Sequence, residues 1–519
     1  MYRKTNDGQL DIYDFILPFG GHLKADNRWV KLRQTINWEL VEEEYGRNFA
    51  NKDAGQEAYP ADVAFGSLYI QRLLGFTDRE LVDQIAENPY MQYFIGYKEY
   101  RNERPFDPSL LVAFRKRLPE EAISRLTERM FIRREETCRR RDSDDDDRNS
   151  ESGGDSDGSS DVSDNGDISH GSKDGADTTN LAAELPNKGT LIIDATCAPA
   201  DIAFPTDLEL CDKARSWTER ILDRLWEQHG AVTGGKRKPR TYRETARRRF
   251  LNINKRRRKP TGKIRRELRY QLNCIHRNLC NIDKYLNAYG DDGLRKVEKA
   301  RLRDIRTFYA QQKEMLDKHT HTVKDRIVSL SQPWVRPIVR GKAKTPTEFG
   351  AKISISVVDG YTFIDRISFD AYNEAEGKEF ERVVEEYRRR FGCYPQRILA
   401  DKLYRSRPNR NFCKQHGIRI SGPRLGRPGK KQADDLRQEL KEIGERNAVE
   451  GKFGNGKRKL NLSLIMAKLK ETAGTMITMD VFILNMERLF RKGALFSCGF
   501  FEFVGETLLT GCFAVEWQM

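Results

Sequence analysis

The sequence predicts an α+β or α/β chain. A mixed sheet is split by a large helical insertion and preceded by a helical N-terminal domain. Three observations carry this. Apolar residues recur at helical spacing through the first 135 residues. Short apolar or alternating runs at 191–193, 352–358, 361–369, 397–400 and 418–421 read as strands. Between the first run and the rest lies a long, very basic helical stretch.

In the N-terminal part, Ala61–Leu74 carries a helical apolar stripe. Thr77 with Glu80 forms a capping box that starts the next helix, and Asn88-Pro89 ends it. Phe106 to Ser109 leads into a short helix, Leu110–Leu118, with Arg115, Lys116 and Arg117 on it. Such short basic helices suit a DNA-binding module, and equally a small helical bundle. Residues 139–180 are dominated by Asp, Ser and Gly and are nearly devoid of apolar side chains. They cannot bury enough surface to offset their ordering entropy and read as a disordered acidic linker.

From Gly189 the pattern turns to strand, with Leu191-Ile192-Ile193 ending at Asp194. The basic region follows. Twelve of residues 236–258 are Lys or Arg, Glu244 being the only acid among them. Like charge this dense repels itself unless a polyanion is present, which points to a phosphate backbone. Lys352–Val358 and Tyr361–Phe369, joined by Asp359-Gly360, read as a hairpin. Then come a helix at Glu374–Phe391, a strand at Arg397–Ala400 ending at Asp401, a helix at Ser406–His416 and a strand at Ile418–Ser421. A basic loop, 423–431, leads to a long helical stretch, 432–490. With the insertion at about 207–345 set aside, three strands form a meander and helices and strands then alternate. That is the ribonuclease-H-like order. Open α/β sheets place their ligand groups at the carboxyl ends of strands.

Lys and Arg number 93 against 78 Asp and Glu, a net charge of +15, so a nucleic-acid partner is expected. No signal peptide or membrane span is read, and the nine cysteines form no CxxC pair, so a reduced, cytoplasmic protein is expected. Phosphodiester cleavage without a covalent intermediate needs an activated oxygen nucleophile and neutralisation of developing charge. A pair of Mg²⁺ ions, with Mn²⁺ as a substitute, supplies both and is held by hard carboxylate oxygens. Asp194, Asp401 and Glu450 are the candidate ligands, with Asp201 and Asp207 as rivals for the first position. Gly451–Lys457 matches part of a phosphate-binding loop but continues with Arg458 and follows no apolar strand, which argues against a nucleotide site. Trp217, Trp226 and Tyr242 read as stacking platforms for bases or as core residues. His319 and His321 read as surface residues.

LIIDATCAPADIAFPTDL (191–208) resembles the first-aspartate region of bacterial insertion-sequence transposases of the DDE type, in the subgroup related to insertion sequences four and five. ILADKLY (398–404) resembles their second-aspartate block, with Leu403 where Gly is usual. RNAVEGKFGNGKRK (446–459) resembles the block around their glutamate. Arg446, Glu450 and Lys457 match the Tyr-Arg-Glu-Lys signature, while Ile443 stands at the Tyr position. Phe106–Leu118 resembles their N-terminal module. The resemblance implies metal-dependent DNA cleavage and strand transfer by Asp194, Asp401 and Glu450 at terminal inverted repeats, by a homodimer on double-stranded DNA in the nucleoid. The alternatives are a nuclease without strand transfer and an inactive, domesticated DNA-binding derivative.

The expected organisation is a DNA-binding module (1–138), the linker (139–185), the catalytic domain (186–490) and a tail (491–519). The expected DNA contacts are Arg446, Lys457, Lys402, Arg115, Arg247, Arg248, Arg249, Arg256, Arg257 and Arg258.

Overall fold

The computed structural model describes residues 13, 15–17, 21–49, 57–132, 186–230, 237–339, 347–370, 372–423 and 432–508. Of residues 432, 433, 435 and 492–508 only the backbone is described. The acidic segment and most of the 423–431 loop lie outside these residues.

The N-terminal part is helical, as expected: α1 (Arg28–Thr35), α2 (Trp38–Gly46), α3 (Ala61–Leu74), α4 (Asp78–Glu87), α5 (Pro89–Phe94), α6 (Leu110–Arg117) and α7, described over 120–132. Local signals set the boundaries. The Thr77–Glu80 capping box opens α4. Asn88 stops α4 and caps α5, whose first residue is Pro89. Gly75 closes α3 in the left-handed conformation.

One mixed sheet follows: β1 (Thr190–Pro199), β2 (Arg336–Val339), β3 (Thr347–Val358), β4 (Tyr361–Ser368), β5 (Arg397–Leu399) and β6 (Arg419–Ile420). β3 pairs antiparallel with β1, β2 and β4, while β5 pairs parallel with β1 and β6 parallel with β5. The meander of β1, β3 and β4 and the later alternation with α12 (Gly377–Phe391) and α13 (Arg407–Gln415) keep the order read from the sequence.

Two features differ from expectation. β1 does not end at Asp194 but runs on to Pro199, because β3 gives it partners over its whole second half. β2 was not anticipated, and it falls inside the stretch assigned to the helical insertion. It pairs with the start of β3 at Gly350, which also meets Pro199 of β1. A Cβ at Gly350 would stand 2.1 Å from the Ala198 carbonyl, so this crossing requires glycine.

The insertion itself is α8 (Asp207–His229), α9 (Arg243–Asn254), α10 (Thr261–Tyr289) and α11 (Lys296–Asp317), with a separate apolar core from Leu210 to Leu330. Trp217 and Trp226 pack against that core, and a guanidinium from Arg301 covers the Trp217 ring. His319 and His321 are exposed.

The helical stretch after β6 is two helices, α14 (Gln432–Lys459) and α15 (Lys470–Leu508), so part of the expected tail continues α15. Asn461, at φ 58°, breaks the path between them. The connector lies along the end of β1, where Ile465 donates to the Pro199 carbonyl at 2.8 Å.

One face of the sheet packs on α14 and the start of α15 through Ile353, Ile355, Val449 and Ile477. The other packs on α12 and α13, in a core continuous with α1–α7. The N-terminal helices are thus built into the sheet's own core. Arg72 of α3 reaches Asp480 of α15 through Nε at 2.7 Å and Nη2 at 2.6 Å, and donates to the Leu460 carbonyl at 3.0 Å. Burial pushes the Asp480 carboxyl up to about 6, against the opposing pull of Arg72.

The folded protein therefore binds this proton more tightly than the unfolded chain, and protonation favours the fold as pH falls through about 6. Arg72→Met leaves the buried carboxylate unpaired and is expected to cost about 3–5 kcal/mol at pH 8, and distinctly less at pH 5, in urea unfolding. An equal loss at both pH values would contradict this account.

Candidate active site

The parallel register of β1 and β5 positions two of the acids. Leu399 pairs with Ile192, so two residues further along each path Asp401 stands beside Asp194. Asp194 lies in mid-strand, where its carboxylate accepts from the Ala195 amide at 2.7 Å. Asp401 follows the end of β5 and caps the single 3₁₀ turn Lys402–Tyr404, accepting from the Lys402 amide at 2.7 Å.

α14 brings the third acid. Its phase is fixed by the fully buried Val449 against the sheet and by two ion pairs to the strand ends. Arg397 meets Glu445 at 2.8 Å, and Arg419 meets the buried Glu442. Arg446 and Glu450 then look toward Asp401. The Arg446 guanidinium lies 3.9 Å from Asp401 and 3.9 Å from Glu450. Their side chains are 22 %, 49 % and 62 % exposed respectively, so the group opens to solvent. Burial raises the Asp194 carboxyl above its ordinary range. The Ala195 amide and Arg446 oppose that, and the charges of Asp401 and Glu450 reinforce it.

The structure thus brings Asp194, Asp401, Glu450 and Arg446 together. The rivals are engaged elsewhere: Asp201 pairs with Lys468, and Asp207 accepts from Arg326 at 2.7 Å and Gln312 at 2.9 Å. Lys457 is half-buried further along α14, and Lys402 is exposed beside Asp401. Gly451–Lys457 lies inside the continuous helix α14 and so forms no phosphate-cradling loop. The donor set is all carboxylate, the chemistry that suits Mg²⁺ or Mn²⁺. Among the described residues no three Asp, Glu, His or Cys side chains are yet close enough to hold an ion.

The basic residues divide into two groups. Arg115 is a correction. It is only 6 % exposed and bonds Gln71 at 2.8 Å and Asp78, so it holds α6 to α3 and α4 instead of facing DNA. Its guanidinium is desolvated, and its two terminal nitrogens bond within the helical unit. Arg249 is partly committed, to Glu267 at 3.0 Å and to the Tyr270 ring. Arg247 and Arg248 are exposed in the middle of α9, and Arg256, Arg257 and Arg258 are exposed on the turn into α10. A buried network anchors these helices: Arg215 bonds Gln271 at 2.9 Å, and Gln271 bonds Glu267 at 3.0 Å. Tyr242 opens α9 with φ 54°, half-exposed beneath Arg277. The pairs Arg397–Glu445 and Arg419–Glu442 were not singled out from the sequence, since their spacing carries no local pattern.

Residues 398–487 match the family model described as "Transposase DDE domain", and residues 18–117 match "Transposase domain (DUF772)". Each of these stretches is similar to a transposase domain and covers less than a fifth of the chain. Asp401 and Glu450 lie within the first, while Asp194 lies outside both. The chain is similar to "Uncharacterized protein ORF8 in nfe locus" of Rhizobium meliloti, 29 % identical over 97 residues. That alignment covers 19 % of this chain and 46 % of that protein, so the chain spans about half the length of the relative it matches. No solved structure matches. Among the described residues no helix is long and apolar enough to cross a membrane.

Arg446→Gln removes the cation that holds Asp194 down. In the metal-free protein the ¹³C carboxyl signal of Asp194 is expected to titrate at higher pH in this variant than in the unaltered chain. An unchanged midpoint would place Arg446 outside the group.

Proposed function

We propose that the chain cleaves DNA and transfers its strands at the terminal inverted repeats of an insertion sequence. The observation that carries this is the meeting of Asp194, Asp401 and Glu450 from two adjacent strands and a facing helix. In this reading residues 186–490 form a ribonuclease-H-like catalytic domain with the basic insertion at about 207–345, the N-terminal 138 residues complete the enzyme, and the acidic stretch at 139–185 is a linker. Asp194, Asp401 and Glu450 would hold the divalent metal, which would supply activation of the attacking oxygen and neutralisation of the charge that develops on the phosphate. The protein's part is to carry the three acids on two adjacent strands and a facing helix. Asp194 and Asp401 are set by the strand register and Glu450 by the ion pairs of α14.

The α9–α10 turn supplies the phosphate-backbone contact and Lys402 a contact beside the reacting bond. The protein works as a homodimer on paired ends, in the nucleoid.

Asp401→Asn is expected to lower cleavage of a terminal-repeat duplex by roughly three orders of magnitude while leaving its binding in a gel-shift assay nearly unchanged. Cleavage that survives this change would remove Asp401 from the active site. A pre-cleaved end should be joined to target DNA, and cleavage without joined product would favour the nuclease reading.

Changing Arg256, Arg257 and Arg258 together to Gln is expected to weaken DNA binding and to reduce the slope of log affinity against log salt by about 2–3. An unaltered slope would move the backbone contact off this turn.

A further inference from the structure

We propose that Arg446 is the resident counter-ion of the three carboxylates in the metal-free protein, and that a divalent cation displaces it. Metal binding and release of the guanidinium toward a DNA phosphate would then be one coupled step. The proposal rests on the metal-binding reading above.

The geometry points this way. The guanidinium sits 3.9 Å from both Asp401 and Glu450 and acts electrostatically on Asp194. A separation of 3.9 Å is too long for a hydrogen bond. Arg446 is therefore held by the field of the acids and not by a bidentate clamp, and it can leave without breaking one. It cannot leave by losing its charge, since a guanidinium stays protonated.

Three carboxylates against one cation leave an excess of negative charge that favours a divalent ion. The Arg446 guanidinium stands 3.9 Å from Asp401 and 3.9 Å from Glu450, so a divalent ion drawn to these carboxylates meets its positive charge. Like-charge repulsion then favours a guanidinium turned away. Once displaced, the planar fork on α14 borders the same opening with its donors free. Its geometry matches a phosphate better than it matches two divergent carboxylates. Lys402, exposed on the neighbouring turn, makes the rim of the opening cationic as well.

Calorimetric titration with Mn²⁺ in the absence of DNA tests the first half, on the full chain and on Arg446→Gln, Arg446→Lys and Asp401→Asn, each checked for an unchanged thermal midpoint. Arg446→Gln is expected to bind Mn²⁺ about two- to tenfold more tightly than the unaltered protein, with Arg446→Lys in between. Equal or weaker binding by Arg446→Gln, while Asp401→Asn loses uptake, overturns the counter-ion role alone. Uptake that is absent, or indifferent to Asp401, overturns the metal reading together with it. Fluorescence anisotropy with a labelled duplex, with and without Ca²⁺, tests the coupling. The gain in DNA affinity on adding Ca²⁺ should be present in the unaltered chain and largely lost in Arg446→Gln. An equal gain in both overturns the coupled step.

Discussion

The parallel pairing of β5 with β1 is the constraint from which the candidate site follows. Only three residues of each strand take part, yet they fix Asp401 beside Asp194 to within one residue. A slip of one position would turn every side chain of β5 to the opposite face. Ile398 and Leu399 are both fully buried, so β5 is packed on both of its faces. The strand is long enough to set the register and short enough to release the chain at the aspartate.

Helix α14 depends on the same strand ends. Arg397 and Arg419 lie on β5 and β6, and each takes a glutamate of α14. These pairs, with Val449 driven into the sheet, decide which stripe of the helix faces the acids. Three glycines within Gly451–Gly456 would weaken an isolated helix, but tertiary packing keeps it continuous. Gly456 is the one that packing uses, since a Cβ there would come within 3.2 Å of Leu462.

The N-terminal helices are part of this architecture. Their largest aromatics join the core that also holds β1, β4 and α12, and Phe65 meets Phe482 of α15 edge-on at 5.3 Å. Arg72 and Arg115 spend their charge inside the helical packing, at Asp480 and at Asp78. Exposed arginines cluster instead along α9 and the α9–α10 turn. The insertion therefore carries the basic face, and the N-terminal unit buttresses the α15 side of the sheet.

What the sequence determined by itself was whatever is written locally. The Thr77–Glu80 box, the Asn88-Pro89 stop, the Asp359-Gly360 hairpin and the succession of β1, β3, β4, β5 and β6 all follow from neighbours in the chain. So does the placing of Arg446 and Glu450 on one helical face four residues apart. Only the tertiary structure decided the rest. Asp194 sits in mid-strand because β3, some 160 residues away, extends β1 past it. Asp201 and Asp207 leave the contest because Lys468 and Arg326 hold them. Arg115 is buried by residues that sequence distance hides. Arg446 faces carboxylates because two remote ion pairs turn its helix. Register, burial and long-range charge pairing depend on which segments meet in space, and local periodicity carries no record of that meeting.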